Sequence, residues 1–191
     1  MAKILILDNY DSFTYNLVHY VKDYGNHQID VYRNDKITLP EIDRYDGIIL
    51  SPGPGLPNEA GNLIPIIENF YESKRIFGVC LGQQAIAEVF HGSLYNLSEV
   101  YHGVAHTISL TQPAHYLFDG LPEAIEGGRY HSWMVKEDNF PTCLKVTATD
   151  QQGRIMALTH RNYDVCAVQF HPASILTPHG KEIIFNWLRR F

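Results

Sequence analysis

Apolar and polar positions along the chain fall into short β-branched runs that alternate with amphipathic stretches of helix length. This is the pattern of a sheet with crossover helices. Ile4 to Leu7 reads as a first buried strand, followed by the polar turn Asp8-Asn9-Tyr10-Asp11-Ser12, in which Asp11 or Ser12 can cap a helix. Phe13, Leu17, Val21 and Tyr24 recur at helical spacing, and Gly25 is placed to end that helix. Asp30 to Arg33 and Gly47 to Leu50 read as the next strands. Ser51-Pro52-Gly53-Pro54-Gly55 is a stiff exposed turn, and a helix is predicted through Leu63, Ile66, Ile67 and Phe70. Arg75 to Val79 is a strand that runs straight into Cys80, with a helix from Gln83 to Phe90.

The second half changes character. Leu94 to Leu110, Leu144 to Ala148, Ile155 to Thr159 and Val165 to Gln169 read as strands with few helices between them. They predict an antiparallel extension of one sheet rather than a second domain. A last helix from about Pro178 places Ile184, Trp187, Leu188 and Phe191 on one face. With no repeat, low-complexity tract or linker, residues 1–191 are expected to form a single α/β domain.

Composition narrows the function classes. The net charge is −6 and no Lys/Arg block stands out, so neither nucleic acid nor an anionic membrane is an expected partner. No apolar run approaches the ~20 residues of a membrane span, and the first strand is interrupted at Asp8, too early for a signal peptide. Three cysteines without paired spacing argue against a disulfide framework and for a reducing, cytoplasmic setting. His102, His106 and His115 lack a helical ligand pair, so no metal and no cofactor is expected.

Two short segments carry candidate chemistry. Gly78-Val79-Cys80-Leu81-Gly82, between a strand and a helix, is the cysteine form of a nucleophile elbow. The helix behind it points its positive end at the sulfur, which favours thiolate, and Leu81 N–H is the natural oxyanion donor. Val168-Gln169-Phe170-His171-Pro172 is a strand end that delivers a histidine into a loop, where it can meet Cys80 beyond the carboxyl ends of the strands. The amides of the Ser51-to-Gly55 turn can also face a substrate. The bland readings are a buried small cysteine, a satisfied histidine and a plain strand-to-helix connection.

Asp8 to Leu17, Ser51 to Gly55, Gly78 to Ala87, Arg129-Tyr130-His131-Ser132 and Gln169-Phe170-His171-Pro172 occur in one order along nearly the whole chain. Together they resemble the class I (triad) glutamine amidotransferases, and more narrowly the small subunits of anthranilate and aminodeoxychorismate synthases. The resemblance implies a flavodoxin-like fold, a mixed central sheet flanked by helices. It implies that Cys80 attacks the glutamine side-chain amide and that His171 carries the proton to leaving ammonia. Leu81 with the Gly53-Pro54-Gly55 loop would hold the oxyanion. Gln84, with the Ser132 and Trp133 backbone, would grip the amino-acid end of L-glutamine. The implied partner is a large chorismate-binding synthase subunit that receives the ammonia, which links the chain to tryptophan or folate biosynthesis.

One departure matters. The family's histidine is followed by Pro, Glu, Ser, and that Glu orients the imidazole; here the stretch is His171-Pro172-Ala173-Ser174. In the serine-protease template, spoiling the third triad member costs ~10⁴ in turnover, although cysteine depends on it less. Reduced glutaminase activity is therefore expected unless another acceptor, such as Ser174, stands in. The alternative is a catalytically weakened or non-catalytic partner subunit; a Cys–His hydrolase of another amide is a further rival. Residue 83 is Gln where many relatives carry His or Met, a lesser change. Cys143 and Cys166 have no helix-terminus or histidine context.

Overall fold

The computed structural model describes all 191 residues. In chain order the elements are β1 (Lys3–Asp8), α1 (Thr14–Tyr24), β2 (Gln28–Arg33), α2 (Leu39–Ile42), β3 (Gly47–Leu50), α3 (Leu63–Phe70), β4 (Arg75–Val79) and α4 (Leu81–Val89). The second half adds β5 (Leu94–Asn96), β6 (Val104–Leu110), β7 (Ala124–Arg129), β8 (Trp133–Val135), β9 (Leu144–Asp150), β10 (Ile155–His160), β11 (Val165–Val168) and α5 (Gly180–Leu188). Nine strands form one sheet in the order β2-β1-β3-β4-β11-β10-β9-β6-β7. The ladder is parallel from β2 to β11 and antiparallel beyond it. The antiparallel extension expected from the second half is therefore present.

Side-chain alternation along β1 explains how the layers assemble. Ile4 and Ile6 join the apolar layer that α1 and α5 cover with Leu17, Val21, Ile184 and Trp187. Leu5 and Leu7 face the opposite layer, covered by α3 and α4 through Leu63, Ile66, Ile67 and Ile86. All of these side chains are at most 1% exposed, and a fully buried Leu or Ile contributes about 1.5–3 kcal/mol. Helices on both faces and a mixed sheet between them match the predicted class.

Several boundaries differ from the sequence reading. Neither Asp11 nor Ser12 caps α1: the helix begins at Thr14 with Phe13 at the N-cap and no side-chain cap, and Asp11 Oδ1 accepts Phe13 N–H at 2.8 Å in the turn before it. Gly25 ends it at φ 72°, as placed. Helix α4 starts at Leu81, immediately after the cysteine, rather than at Gln83, and α5 starts at Gly180 rather than Pro178. The predicted strand Leu94–Leu110 is two strands in two sheets. Gly103 turns the chain at φ 75°, and Leu97, Tyr101 and Gly103 donate to the carbonyls of Ser132, His131 and Arg129, so the intervening segment lies along the Arg129–Trp133 loop. Strand β5 pairs instead with β8 in a separate two-stranded sheet.

Candidate active site

The cleft lies beyond the carboxyl ends of β1, β3, β4 and β11, where loops from four parallel strands converge. Two adjoining cavities share Gly53, Pro54, Cys80, His102 and Tyr130. One, of ≈ 320 Å³, continues to Gly55, Gln84, Ser132 and Trp133. The other, of ≈ 420 Å³, continues to Asp11, Phe13 and His171. Cys80 and His171, far apart in sequence, thus line one cavity. A larger cavity of ≈ 500 Å³ sits at the opposite end of the sheet among Asp46, Arg75, Asp164 and Phe191, and no cysteine or histidine lines it.

Cys80 caps α4 at φ 53° and ψ −101°, a conformation that costs an L-residue about 1–3 kcal/mol. The flanking glycines make the turn possible. A Cβ on Gly78 would lie 2.7 Å from the Gly82 carbonyl carbon, and one on Gly82 would lie 2.9 Å from Leu50 O. The expectation that the helix terminus tips the sulfur to thiolate meets a larger opposing effect. Burial, with help from the Asp11 charge, pushes the Cys80 thiol up to about 12, against the pull of Leu81 N–H and the Gln169 amide. The resting group is therefore a thiol.

His171 is 2% exposed, and no protein group hydrogen-bonds either ring nitrogen. Burial lowers its pKa to about 3, so the imidazole is neutral. Aromatic rings hold it in place: Phe13 edge-on at 4.8 Å and 79°, and Tyr130 tilted at 4.8 Å. Ala173 offers no side-chain acceptor, and Ser174 does not replace one. Its Oγ is bonded to the Tyr130 hydroxyl at 2.9 Å and accepts Leu176 N–H at 3.1 Å.

The Pro-Gly turn is shaped by the first loop. Asn9 N–H donates to Ser51 Oγ and Asn9 Nδ2 to Ser51 O, both at 2.8 Å. A Cβ on Gly53 would lie 2.6 Å from Asn9 O, so only glycine fits beside it. Leu81 lines neither cavity with its side chain, but its amide, first in α4, has no intrahelical acceptor and faces the sulfur. Gln84 lines the smaller cavity with its amide nitrogen already donating to Trp133 O at 2.9 Å and Gln169 Oε1 at 3.3 Å.

The family model of class-I glutamine amidotransferases matches residues 5–191. The chain is 43% identical to the aminodeoxychorismate/anthranilate synthase component 2 of Bacillus subtilis (strain 168), covering 98% of this chain and 96% of that one. It is 41% identical to the aminodeoxychorismate synthase component 2 of Escherichia coli (strain K12), covering 98% and 100%. The chain belongs to the class-I glutamine amidotransferases. A Thermoplasma acidophilum protein assigned as a GMP synthase subunit superimposes with a TM-score of 0.87 at 26% identity, covering 99% of this chain and 93% of that one. A glutamine amidotransferase from Thermotoga maritima shares the fold at TM-score 0.81 and 13% identity, covering 99% and 97%.

Within this amidotransferase several site residues lie outside the sequence reading. Gln169 Nε2 lies 3.4 Å from Cys80 Sγ; its signal is an amide directly after the apolar strand Val165–Val168, and it is fully buried. Phe13 and Tyr130 carry no polar signature for their contact with the histidine. No helix is long and apolar enough to cross a membrane.

Proposed function

We propose that this amidotransferase hydrolyses L-glutamine at Cys80 and passes the ammonia to a chorismate-using synthase subunit. The observation that carries the reading is Cys80, held at positive φ on the elbow, opening onto the same cavity as a buried, neutral and unpartnered His171. Both groups start uncharged. As Sγ bonds to the amide carbon, the thiol proton passes to His171, and the Leu81 amide with the Gly53-to-Gly55 loop receives the oxyanion. Collapse returns the proton to the departing nitrogen and releases ammonia, leaving a glutamyl thioester. Water, deprotonated by His171, cleaves that thioester to glutamate and restores the thiol. The smaller cavity, with Gln84 and the Ser132–Trp133 backbone, takes the amino-acid end.

A protein partner at the mouth is supported by exposed apolar side chains. Val100 (69%) and Tyr10 (47%) line the cavities, and Ile175 (96%) follows Ala173 closely. The relatives' names as second components point the same way. A second reading, a weakened subunit, is favoured by the unpartnered His171 nitrogens beside Ala173. Ammonia release from glutamine, measured alone and with a chorismate-using synthase subunit, separates these readings. A slow rate alone, a marked rise in the complex and an aminated aromatic product are expected. No ammonia in either case contradicts the proposal.

A further inference from the structure

Behind the cleft lies a buried ion pair that none of the proposed chemistry uses. Arg129 is 0% exposed and its Nη1 meets Asp150 at 2.9 Å, while Arg154 meets the same carboxylate from the outside at 2.6 Å. The Arg129 guanidinium also lies 4.0 Å from the Tyr101 ring centroid. Its Nη2 donates to Met134 Sδ at 3.4 Å and its Nε–H to His131 Nε2 at 3.1 Å. Arginine can only donate, so His131 Nε2 must accept, the ring proton resides on Nδ1, and Nδ1–H donates to Trp133 O at 3.1 Å. Burial, then the Arg129 charge, holds His131 neutral, as this arrangement requires.

The Trp133 carbonyl accepts from both sides, so His131 fixes where that oxygen sits, and Gln84 takes its orientation from the oxygen. Gln84 must face Trp133 O with its amide nitrogen at 2.9 Å, and the same nitrogen reaches Gln169 Oε1 at 3.3 Å. Gln169 Oε1 being the acceptor, its Nε2 is the group turned to Cys80 Sγ at 3.4 Å. Neither amide can be flipped without placing two acceptors or two donors face to face.

We propose that Arg129 and His131 are positioning residues, which through the Trp133 carbonyl and Gln84 aim the Gln169 N–H at the Cys80 sulfur. This rests on Cys80 being the nucleophile. A donor at the sulfur stabilises thiolate relative to thiol as the proton leaves, because a hydrogen bond to the charged form favours it. The other ionisable groups lining the two cavities with Cys80 are Tyr10 and Asp11 from the loop after β1, His171 from the loop after β11, Tyr101 and His102 from the loop before β6, and Tyr130 and His131 from the loop after β7. Asp11 opposes thiolate formation, and His171 and His102 receive no direction from this chain of bonds.

The test is the rate at which iodoacetamide alkylates Cys80 in the full chain, mapped by peptide mass across about pH 7 to 10, with Cys143 as internal control. It reads the thiol itself and needs no glutamine turnover, so it succeeds or fails independently of the proposed activity. Gln169→Met is expected to slow Cys80 about tenfold throughout, the effect of roughly one pKa unit. His131→Phe should slow it in the same direction, and His131→Gln, which keeps a donor and an acceptor, should restore much of the rate. Gln84→Met tests the next link of the chain, and where His131→Phe exposes the buried Cys166 to reagent, Arg129→Lys, which keeps the charge beside Asp150 and loses the Nε–H to His131, decides instead. Wild-type alkylation in Gln169→Met overturns the assignment of the donor. Slowing in Gln169→Met with none in His131→Phe or Gln84→Met overturns the role of Arg129 and His131.

Discussion

Phe13 meets the His171 ring edge-on at 4.8 Å and 79°, and this contact, with Tyr130 on another side, stands where a hydrogen bond would ordinarily orient a catalytic imidazole. Packing fixes the plane of the ring but not which nitrogen carries the proton. Phe13→Leu keeps an apolar contact and loses the edge. We expect kcat for glutamine hydrolysis to fall about 10- to 100-fold, in line with the cost of ~1 Å misplacements, with KM little changed. An unchanged kcat in a folded variant shows that the ring is held by something else.

Ala173→Glu should supply the missing acceptor. We expect glutamine hydrolysis to rise by about one to three orders of magnitude, taking the ~10⁴ template cost as a ceiling and discounting it for sulfur chemistry. The site favours the prediction in one respect: Ser174 is engaged by Tyr130 and Leu176, so no existing partner competes for His171. Ala173 packs among Phe13, Leu17, Pro52 and Val79 with ≈ 0 Å³ of free cavity, so the glutamate side chain must shift these neighbours to reach the imidazole. Turnover unchanged or lowered, with the fold intact, shows that the histidine already has what it needs.

A glutamine-analogue electrophile should label Cys80 ahead of Cys143 and Cys166. Cys80 opens onto both cavities, whereas Cys166 is 0% exposed, lines neither and has its thiol pushed well above the usual range by burial. Peptide mapping after brief exposure checks the order. Earlier labelling of Cys143 or Cys166 removes the basis for the nucleophile.

Stability should fall steeply on acidification. Burial lowers His131 and His171 to about 3 and His115 to about 4, so all three are neutral in the fold where the unfolded chain, with histidine pKa near ~6.5, would bind protons. Their neutrality costs nothing above about pH 6.5. As pH falls below that value the unfolded state gains about three protons that the native state refuses, so stability drops by up to about 4 kcal/mol per pH unit until roughly pH 4. Denaturant midpoints at pH 7, 6 and 5 measure this. A flat profile contradicts the neutral assignment of these rings.

The elements that build the cleft are legible because their signals are local. The elbow around Cys80 needs glycines on either side of a single residue, and Phe13, Leu17 and Val21 mark their helix by spacing alone. Gln169 and Tyr130 are legible only as letters in a motif, because their roles depend on register: β11 pairs with β4 so that Val168 lies opposite Val79, which carries Gln169 alongside Cys80. The break between β5 and β6 is hidden for a similar reason. Leu97 and Tyr101 pair with Ser132 and His131, some thirty positions later and in the loop between β7 and β8, where no strand pattern marks them. The sulfur's protonation differs from the expectation because a helix terminus can be read from sequence, whereas the depth of burial that outweighs it cannot.

Whether Cys80 carries the glutamyl group is decided by one paired measurement. Ammonia release from glutamine is followed for the chain and for Cys80→Ser, both with the synthase subunit present, while acid-quenched samples are mapped by peptide mass. A glutamyl adduct on the Cys80 peptide during turnover is expected, with loss of ammonia release in Cys80→Ser. Ammonia released by folded Cys80→Ser at the wild-type rate, with no adduct on Cys80, contradicts the assignment.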